Sequence, residues 1–184
     1  LRVPVVFIDR TFEGMRGPFV GVDNEDGAYR AISHLIEDGH QRIGIVAGLG
    51  DMSTMRDRLA GFQRALREHG LSNNPSLEAF CELSIEGGYT AAKRLLSLPE
   101  PPSAVFANNN LLTLGCLKAI QEAGLKCPDE IGLACFDDPP WATVTCPPLT
   151  AVRQPAHEIG RVAADILLRM LKGESVTEKH VILR

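Results

Sequence analysis

Five side chains in this sequence have the chemistry to recognise a small ligand: Asp9, Arg58, Asn108, Asp137 and Trp141. A carboxylate or a planar guanidinium can bind a vicinal hydroxyl pair bidentately, and an amide can both donate and accept hydrogen bonds. An aromatic ring can cover the apolar face of a sugar. The set therefore favours binding of a polyhydroxylated ligand or a nucleobase.

Each of these residues also has a purely structural interpretation. The two aspartates could be turn residues, and Trp141 could pack in the core. Arg58 could be an exposed helix residue, because three further arginines are predicted on the same helix. Asn108 could cap the helix that follows it, a position at which asparagine is common. The argument for a site therefore depends on where the five residues lie relative to the strands.

The positions of these residues follow a predicted alternation of strands and helices. The predicted strands are Val5–Ile8, Phe19–Val22, Ile43–Ala47, Ala79–Leu83, Ala104–Ala107, Ile131–Cys135, Thr150–Val152 and Val181–Leu183. The predicted helices begin near Asn24, which would be the first cap, Thr54, Gly87 and Asn109, and the last one carries the apolar residues Ile159 to Leu171. Glycines follow most of these helices, as is typical of helix ends.

This alternation predicts an α/β fold with a doubly wound parallel sheet. In such sheets, ligands bind beyond the carboxyl ends of the strands. Asp9, Asn108 and Asp137 each come after a predicted strand, and the Gly48–Asp51 loop leads from another strand towards Arg58. We therefore expect these side chains to meet at one edge of the sheet.

Composition and missing motifs argue against several other functions. The 184 residues have a formal net charge of −4 and no basic run, which disfavours direct DNA binding. No apolar run approaches the roughly 20 residues of a membrane-spanning helix. The sequence lacks a Gly-x-Ser-x-Gly elbow and a phosphate-binding loop, and its histidines do not follow strands. We therefore expect no enzyme and no membrane association.

The five cysteines are odd in number and include no Cys-x-x-Cys pair: Cys81, Cys116, Cys127, Cys135 and Cys146. Zinc sites usually need closely spaced ligands, and the histidines are scattered. The cysteines are therefore expected to be reduced, mostly buried thiols of a cytoplasmic protein, with no metal or cofactor. The chain begins Leu1-Arg2-Val3-Pro4 without an initiator methionine, so we expect it to be part of a longer protein.

Several motifs together resemble the lactose-repressor (LacI/GalR) family of transcription regulators. They occur in order along nearly the whole chain: Val22-Asp23-Asn24, Gly39-His40-Gln41-Arg42-Ile43-Gly44, Arg58-Leu59-Ala60-Gly61-Phe62, Phe136-Asp137-Asp138, Pro147-Pro148-Leu149-Thr150 and Val152-Arg153-Gln154-Pro155. The resemblance implies a two-lobed core like that of the periplasmic binding proteins. Residues 23–154 would form the C-terminal lobe, and residues 1–22 and 155–184 would be parts of the N-terminal lobe. The helix-turn-helix headpiece would lie outside this chain.

The resemblance also implies a site and a mechanism. Arg58, Asn108 and Asp137 match effector-contacting positions of the family, and Asp9 matches another less closely. A sugar-like or purine-like effector would bind between the lobes of a homodimer and alter operator binding by the headpieces. The chain has Asn109 where the family usually has Asp, and Cys135 where it usually has Gly. The alternative is a ribose-type sugar-binding protein without a DNA-binding role, which the unpaired cysteines disfavour.

Overall fold

The computed structural model describes residues 3–49, 52–177 and 179–183, and it consists of strands and helices in alternation. The strands are β1 (Phe7–Ile8), β2 (Phe19–Val22), β3 (Ile43–Gly48), β4 (Glu78–Cys81), β5 (Ala104–Ala107), β6 (Gly132–Phe136), β7 (Thr150–Val152) and β8 (His180–Leu183). The helices are α1 (Asn24–Glu37), α2 (Ser53–Glu68), α3 (Ile85–Leu96), α4 (Asn110–Glu122) and α5 (Ala156–Leu171).

The larger sheet has five parallel strands in the order β4-β3-β5-β6-β7. One apolar cluster packs α1 and α2 against this sheet, and a second packs α3 and α4 against it. Because every residue of β3, β5 and β6 is buried, these strands are apolar throughout rather than alternating. The predicted doubly wound parallel sheet is confirmed.

Strand order also defines the place where a ligand would bind. After β3 the chain adds β4 on one side of it, and then places β5 on the other side. This reversal between β3 and β5 is the switch point at which open parallel sheets bind ligands. The segments that follow the two strands contain Arg58 and Asn108.

The smaller sheet has three parallel strands in the order β1-β2-β8, and α5 packs on it. Its core is small and contains three buried apolar residues, Val20, Ile159 and Ile166. The chain crosses from this sheet into α1 after β2, and it returns from β7 to α5 through residues 153–155. Two segments of the chain therefore connect the two sheets.

Several sequence expectations need correction at element ends. The side chain that caps α1 is Asp23, which accepts a hydrogen bond from the Asp26 amide, rather than Asn24. The alternative that Asn108 caps α4 does not hold, because the cap is Asn109. Aspartate and asparagine are both favoured as helix caps, so the sequence did not decide between neighbouring residues of these types. Strand β1 is also shorter than the predicted run Val5–Ile8.

The cysteines are free thiols, of which Cys116 and Cys135 are buried and Cys146 is exposed. Cys81 and Cys127 are partly buried, so Cys146 is the exposed exception to the expectation of mostly buried thiols. Burial raises the pKa of Cys135 to about 12, so this thiol stays protonated near neutral pH. Across the residues that the structure describes, no group of three or more His, Cys, Asp or Glu side chains could hold a metal ion.

No helix in the described ranges is both long and apolar enough to cross a membrane.

Candidate functional site

A cavity of about 430 Å³ lies where the carboxyl ends of strands from the two sheets meet. Asp9 lines it from the smaller sheet, and Asp137 and Asp138 line it from the loop after β6. Asn110, Arg153 and Gln154 complete most of its polar wall. The size is within the range of about 300–1,000 Å³ that is usual for small-molecule sites. The cavity could therefore hold a small polar ligand in contact with both sheets.

Arg58 lies on α2 and is only 2% exposed. Its Nε donates to Asn24 Oδ1 at 2.8 Å, and its Nη1 donates to the Asn108 carbonyl at 2.7 Å. The guanidinium carbon lies 3.6 Å from the centroid of the Phe136 ring, a close cation–π contact. No described residue accepts a hydrogen bond from Nη2. The guanidinium is therefore fixed in place with one nitrogen left to donate.

The charge of Arg58 depends on two opposing influences. Burial lowers its pKa from 12.5 to about 10, and the nearby carboxylates of Asp137 and Asp9 act in the opposite direction. A pKa near 10 leaves the side chain charged at neutral pH. The site therefore holds a buried positive charge close to two carboxylates, one from each sheet.

Asn108 follows β5 and is completely buried. Its Nδ2 makes one long contact, 3.5 Å from the Met55 carbonyl, and its Oδ1 has no hydrogen-bond partner in the described part of the chain. An unpaired buried polar atom costs about 1–3 kcal/mol, so structural side chains rarely leave one. The Asn108 side chain therefore leaves one buried acceptor unpaired, and it does not cap the helix that follows it, because Asn109 does.

Asp137 and Asp9 share an unusual backbone conformation. Their φ angles are +76° and +70°, in the left-handed region that residues other than glycine seldom adopt. Aspartate is one of the few types that tolerates it, and such residues cluster at binding sites. Asp137 Oδ1 accepts a hydrogen bond from Gln154 Nε2, and Asp9 Oδ2 accepts one from Arg10 Nε. Both carboxylates are therefore oriented by neighbouring donors.

The structure places two of the five candidate residues, Asp9 and Asp137, in the cavity wall. Arg58 and Asn108 contact each other but are buried and do not line the cavity, although the charges of Asp9 and Asp137 act on Arg58. Trp141 lies half-buried in a 3-10 turn, Pro140–Thr143, outside the cavity wall. Gly50 and Asp51, from the loop predicted to approach the site, lie outside the described residues.

Sequence reasoning missed Asn110 and Arg153 of the cavity wall. It also missed three residues that contact the candidate side chains: Asn24, Phe136 and Gln154. All three lie in the motifs quoted above, where they served only to mark the resemblance. In the sequence, the one sign of these residues was that each lies next to Asp23, Asp137 or Arg153. No spacing rule connects Asn24 to Arg58, which comes 34 residues later. Only the packing of α1 against α2 makes that contact.

The two departures from the family pattern, Asn109 and Cys135, both fit their surroundings. Asn109 Oδ1 accepts from the Leu112 amide at 2.9 Å, so the amide performs the capping that an aspartate could also perform. Cys135 is fully buried, and its Sγ lies 3.4 Å from the Asp137 carbonyl oxygen. The thiol thus fits the core directly beneath the loop that carries Asp137.

Comparison with known proteins identifies relatives of this arrangement. A family model described as a periplasmic binding protein-like domain matches residues 32–184. The HTH-type transcriptional repressor CytR of Escherichia coli (strain K12) is 36% identical over 173 residues, which are 94% of this chain and 51% of the repressor. The chain thus spans about half the length of the curated relatives it matches.

Solved structures give the same result. A regulatory protein of the LacI family from Chloroflexus aggregans aligns with a TM-score of 0.91 and 30% identity, over 98% of this chain and 65% of that one. A LacI family transcriptional regulator from Enterococcus faecium, with bound ribose, aligns with a TM-score of 0.89 and 27% identity, over 98% of this chain and 67% of that one. The chain therefore belongs to the periplasmic binding protein-like domain family, in the form found in the cores of LacI-family transcriptional regulators.

Proposed function

We propose that this chain is the ligand-sensing core of a LacI-family transcriptional repressor. A sugar-like or purine-like effector binds between the two sheets and changes the affinity of a helix-turn-helix headpiece, outside this chain, for operator DNA. The observation that carries the proposal is the buried Arg58, fixed beside Asn108 and Asp137 at the switch point of the larger sheet. A buried charge of this kind adds little to stability, so a binding role explains it best.

The donors and acceptors of the site suit a hydroxyl-rich ligand. The free Nη2 of Arg58 can donate to a hydroxyl oxygen, and the carboxylates of Asp9 and Asp137 can accept hydroxyl protons. Charged groups make hydrogen bonds roughly twice as strong as neutral ones. The ribose bound in the Enterococcus faecium regulator is such a ligand, which supports this class for the present site.

The position of the cavity supplies a mechanism for signalling. Asp9 belongs to the smaller sheet and Asp137 to the larger one, so one ligand held by both favours a particular placement of the sheets. A ligand shifts such an equilibrium only by its difference in affinity for the two states, typically about 1–3 kcal/mol. This coupling is enough to change operator affinity 5- to 150-fold.

The proposal includes a homodimer, because an operator-binding repressor with one headpiece per chain gains affinity by pairing. Helices α3 and α4 carry exposed apolar side chains at Ile85, Leu111 and Leu114. A second copy would cover this surface. The relatives reported above are a repressor and two regulators, which favours regulation over the ribose-type transport alternative and over catalysis.

Ligand binding to the intact protein tests the proposal. D-ribose, hexoses, glycosides and purines would be screened by thermal shift and then by calorimetry, where a hundredfold excess over Kd stabilises the protein by about 2.7 kcal/mol. Arg58→Ala is expected to weaken the bound ligand at least ~100-fold, because charged hydrogen bonds are lost. The control Arg67→Ala removes an exposed arginine of the same helix and should change affinity less than twofold. An Arg58→Ala affinity within a few-fold of the wild type would disprove the site.

A second measurement tests regulation separately from binding. The ligand found in the screen is added to the intact protein on operator DNA, and operator affinity is measured by fluorescence anisotropy. A change of fivefold or more is expected, in either direction, because the coupling can favour either state. Ligand binding without any change in operator affinity would leave a sugar-binding protein rather than a regulator.

A further inference from the structure

The two segments that connect the sheets each carry a carboxamide side chain that binds a residue of the candidate site. The first segment runs from β2 into α1 and contains Asn24, and the second runs from β7 to α5 and contains Gln154. Asn24 binds Arg58, and Gln154 binds Asp137. The same arrangement thus occurs twice, on segments about 130 residues apart in the chain.

Asn24 is 6% exposed and makes two hydrogen bonds in opposite directions. Its Oδ1 accepts from Arg58 Nε at 2.8 Å, and its Nδ2 donates to the carbonyl of Val22, the last residue of β2, at 3.3 Å. The side chain therefore connects the guanidinium to the end of a strand of the smaller sheet. Arg58 is held at its other end by the Asn108 carbonyl, at the end of β5. The chain of bonds runs from one sheet to the other.

Gln154 makes the corresponding bond on the second segment. Its Nε2 donates to Asp137 Oδ1 at 2.5 Å, and its neighbour Arg153 forms an ion pair with Asp138. Gln154 stands immediately before Pro155, where the backbone leaves the larger sheet for α5. The orientation of the Asp137 carboxylate is thus tied to the backbone that returns to the smaller sheet.

Neither side chain is needed to start the helix that follows it. Asp23 already caps α1 through the Asp26 amide, so the side chain of Asn24 is not used there. Helix α5 begins without any side-chain cap. The two carboxamides instead form hydrogen bonds with Arg58 and Asp137. A role in starting the helices does not explain these bonds.

We propose that Asn24 and Gln154 are positioning residues that couple Arg58 and Asp137 to the two connecting segments, and so to the relative placement of the sheets. The inference rests on the proposed function, because it assigns the route by which that site signals. A ligand that moves the guanidinium or the carboxylate has to move or break one of these two bonds. Each bond then transmits the change to the segment that carries its carboxamide.

Hydrogen exchange in the intact, ligand-free protein tests the coupling without knowledge of the ligand. Arg58→Met is expected to raise the exchange rates of the amides of residues 22–24 about fivefold, as is Asn24→Ala. The double variant should show no further rise, because both changes break the same bond. Asp23→Ala is the control, since it removes the helix cap but leaves the Arg58 bond in place. Unchanged rates at residues 22–24 in Arg58→Met would overturn the proposal for Asn24.

Conservative charge variants test the bonds at each segment. Asn24→Asp keeps an oxygen for Arg58 but replaces the Nδ2 donor with a second acceptor that faces the Val22 carbonyl, so exchange at residues 22–24 should rise as in Asn24→Ala. Gln154→Glu places a second carboxylate against Asp137, so the amides of Gln154 and Ala156 should exchange at least threefold faster. Gln154→Ala should produce a similar rise. No rise in either charge variant would contradict the coupling.

Ligand binding then separates this inference from the proposed function. With D-ribose as the probe, Gln154→Ala should weaken binding no more than about tenfold, but should abolish the D-ribose-induced change in inter-sheet distance measured by fluorescence energy transfer. His157→Ala, the control, changes an exposed residue at the start of α5 that does not line the cavity and should retain that change. A Gln154→Ala protein that keeps the full distance change would overturn the coupling. If D-ribose binds neither protein, the choice of sugar in the proposed function fails, and the exchange experiments still decide the inference.

Discussion

The two sheets of this protein differ in how completely they are covered. Every residue of β3, β5 and β6 in the larger sheet is buried between two pairs of helices. The smaller sheet has α5 on it and a far smaller core, and β8 alternates between exposed and partly covered residues. Three of the candidate residues, Arg58, Asn108 and Asp137, lie on segments of the well-covered sheet.

The two sheets carry different parts of the candidate site. A densely packed scaffold holds side chains within narrow limits. Arg58 is a buried charge and Asn108 has an unpaired buried oxygen, and both belong to segments packed with the larger sheet. Asp9 follows β1 of the smaller sheet.

The largest expected effect on stability comes from replacing one phenylalanine in each region. Phe136 is 1% exposed and Phe12 is 58% exposed. Phe136→Ala is expected to lower the free energy of unfolding by about 3–5 kcal/mol, because it leaves a cavity beneath Arg58. Phe12→Ala should cost less than about 1 kcal/mol, mainly through its edge-on contact with Phe7. Urea-induced unfolding measures both, and equal losses would remove the distinction between the regions.

Replacing two helical glycines is expected to change stability by smaller amounts, and the two changes have opposite signs. A Cβ on Gly61 of α2 would lie 2.2 Å from the Glu25 carbonyl oxygen, whereas a Cβ on Gly160 of α5 would meet nothing within 4 Å. Gly61→Ala should therefore destabilise by about 1–3 kcal/mol, since α1 and α2 must move apart. Gly160→Ala should stabilise by about 0.5–1 kcal/mol through helix propensity. Thermal unfolding measures both variants. Unchanged stability of Gly61→Ala would show that α1 and α2 are not in close contact at this position.

The smallest effects concern two surface carboxyls with opposite pH dependence. Burial and the nearby Glu25 and Asp23 raise the pKa of Asp57, whereas the hydrogen bond from Arg161 lowers the pKa of Glu158. Asp57 therefore favours the folded state most below its unfolded pKa of 3.8, and this contribution is lost as pH rises through the raised folded value. Glu158 contributes above its unfolded pKa of 4.5 and loses the contribution as pH falls through the lowered one.

These signs predict how two variants respond to pH. At about pH 7, Asp57→Asn should raise the unfolding temperature slightly and Glu158→Gln should lower it slightly. Both differences should shrink below about pH 3, where the wild-type carboxyls are protonated. Melting curves at several pH values and at low salt measure the trend. Shifts of the same sign at pH 7 would contradict the opposite environments of the two carboxyls.

The sequence predicted the parts of the fold that depend on continuous patterns. Strands Phe19–Val22, Ala104–Ala107 and Thr150–Val152 occur with the predicted bounds, because each is a short apolar or β-branched run next to turn or helix residues. Gly70 and Gly124, which were expected to end helices, both have φ of +72°. Local patterns of this kind are set by neighbours in the chain, and they need no knowledge of distant residues.

The sequence could not predict which of several equivalent side chains would be used. Asp23 and Asn24 are both good helix caps, and so are Asn108 and Asn109. In each pair one residue caps a helix and the other is buried against Arg58. The choice follows from the position of α2, which is a long-range effect. The placement of Trp141 away from the cavity has the same origin, since its turn faces a direction that no local pattern specifies.

By itself, the sequence determined the alternation of strands and helices, the parallel pairing, and the positions of Asp9, Asn108 and Asp137 directly after strands, because all of these follow from residue periodicity and from the handedness of the connections. Only the tertiary structure decided that Arg58 would be buried over Phe136 and bound to Asn24, and that Gln154 would hold Asp137. These contacts join residues 17 to 78 positions apart, and they form only when the helices and the two sheets have packed against one another.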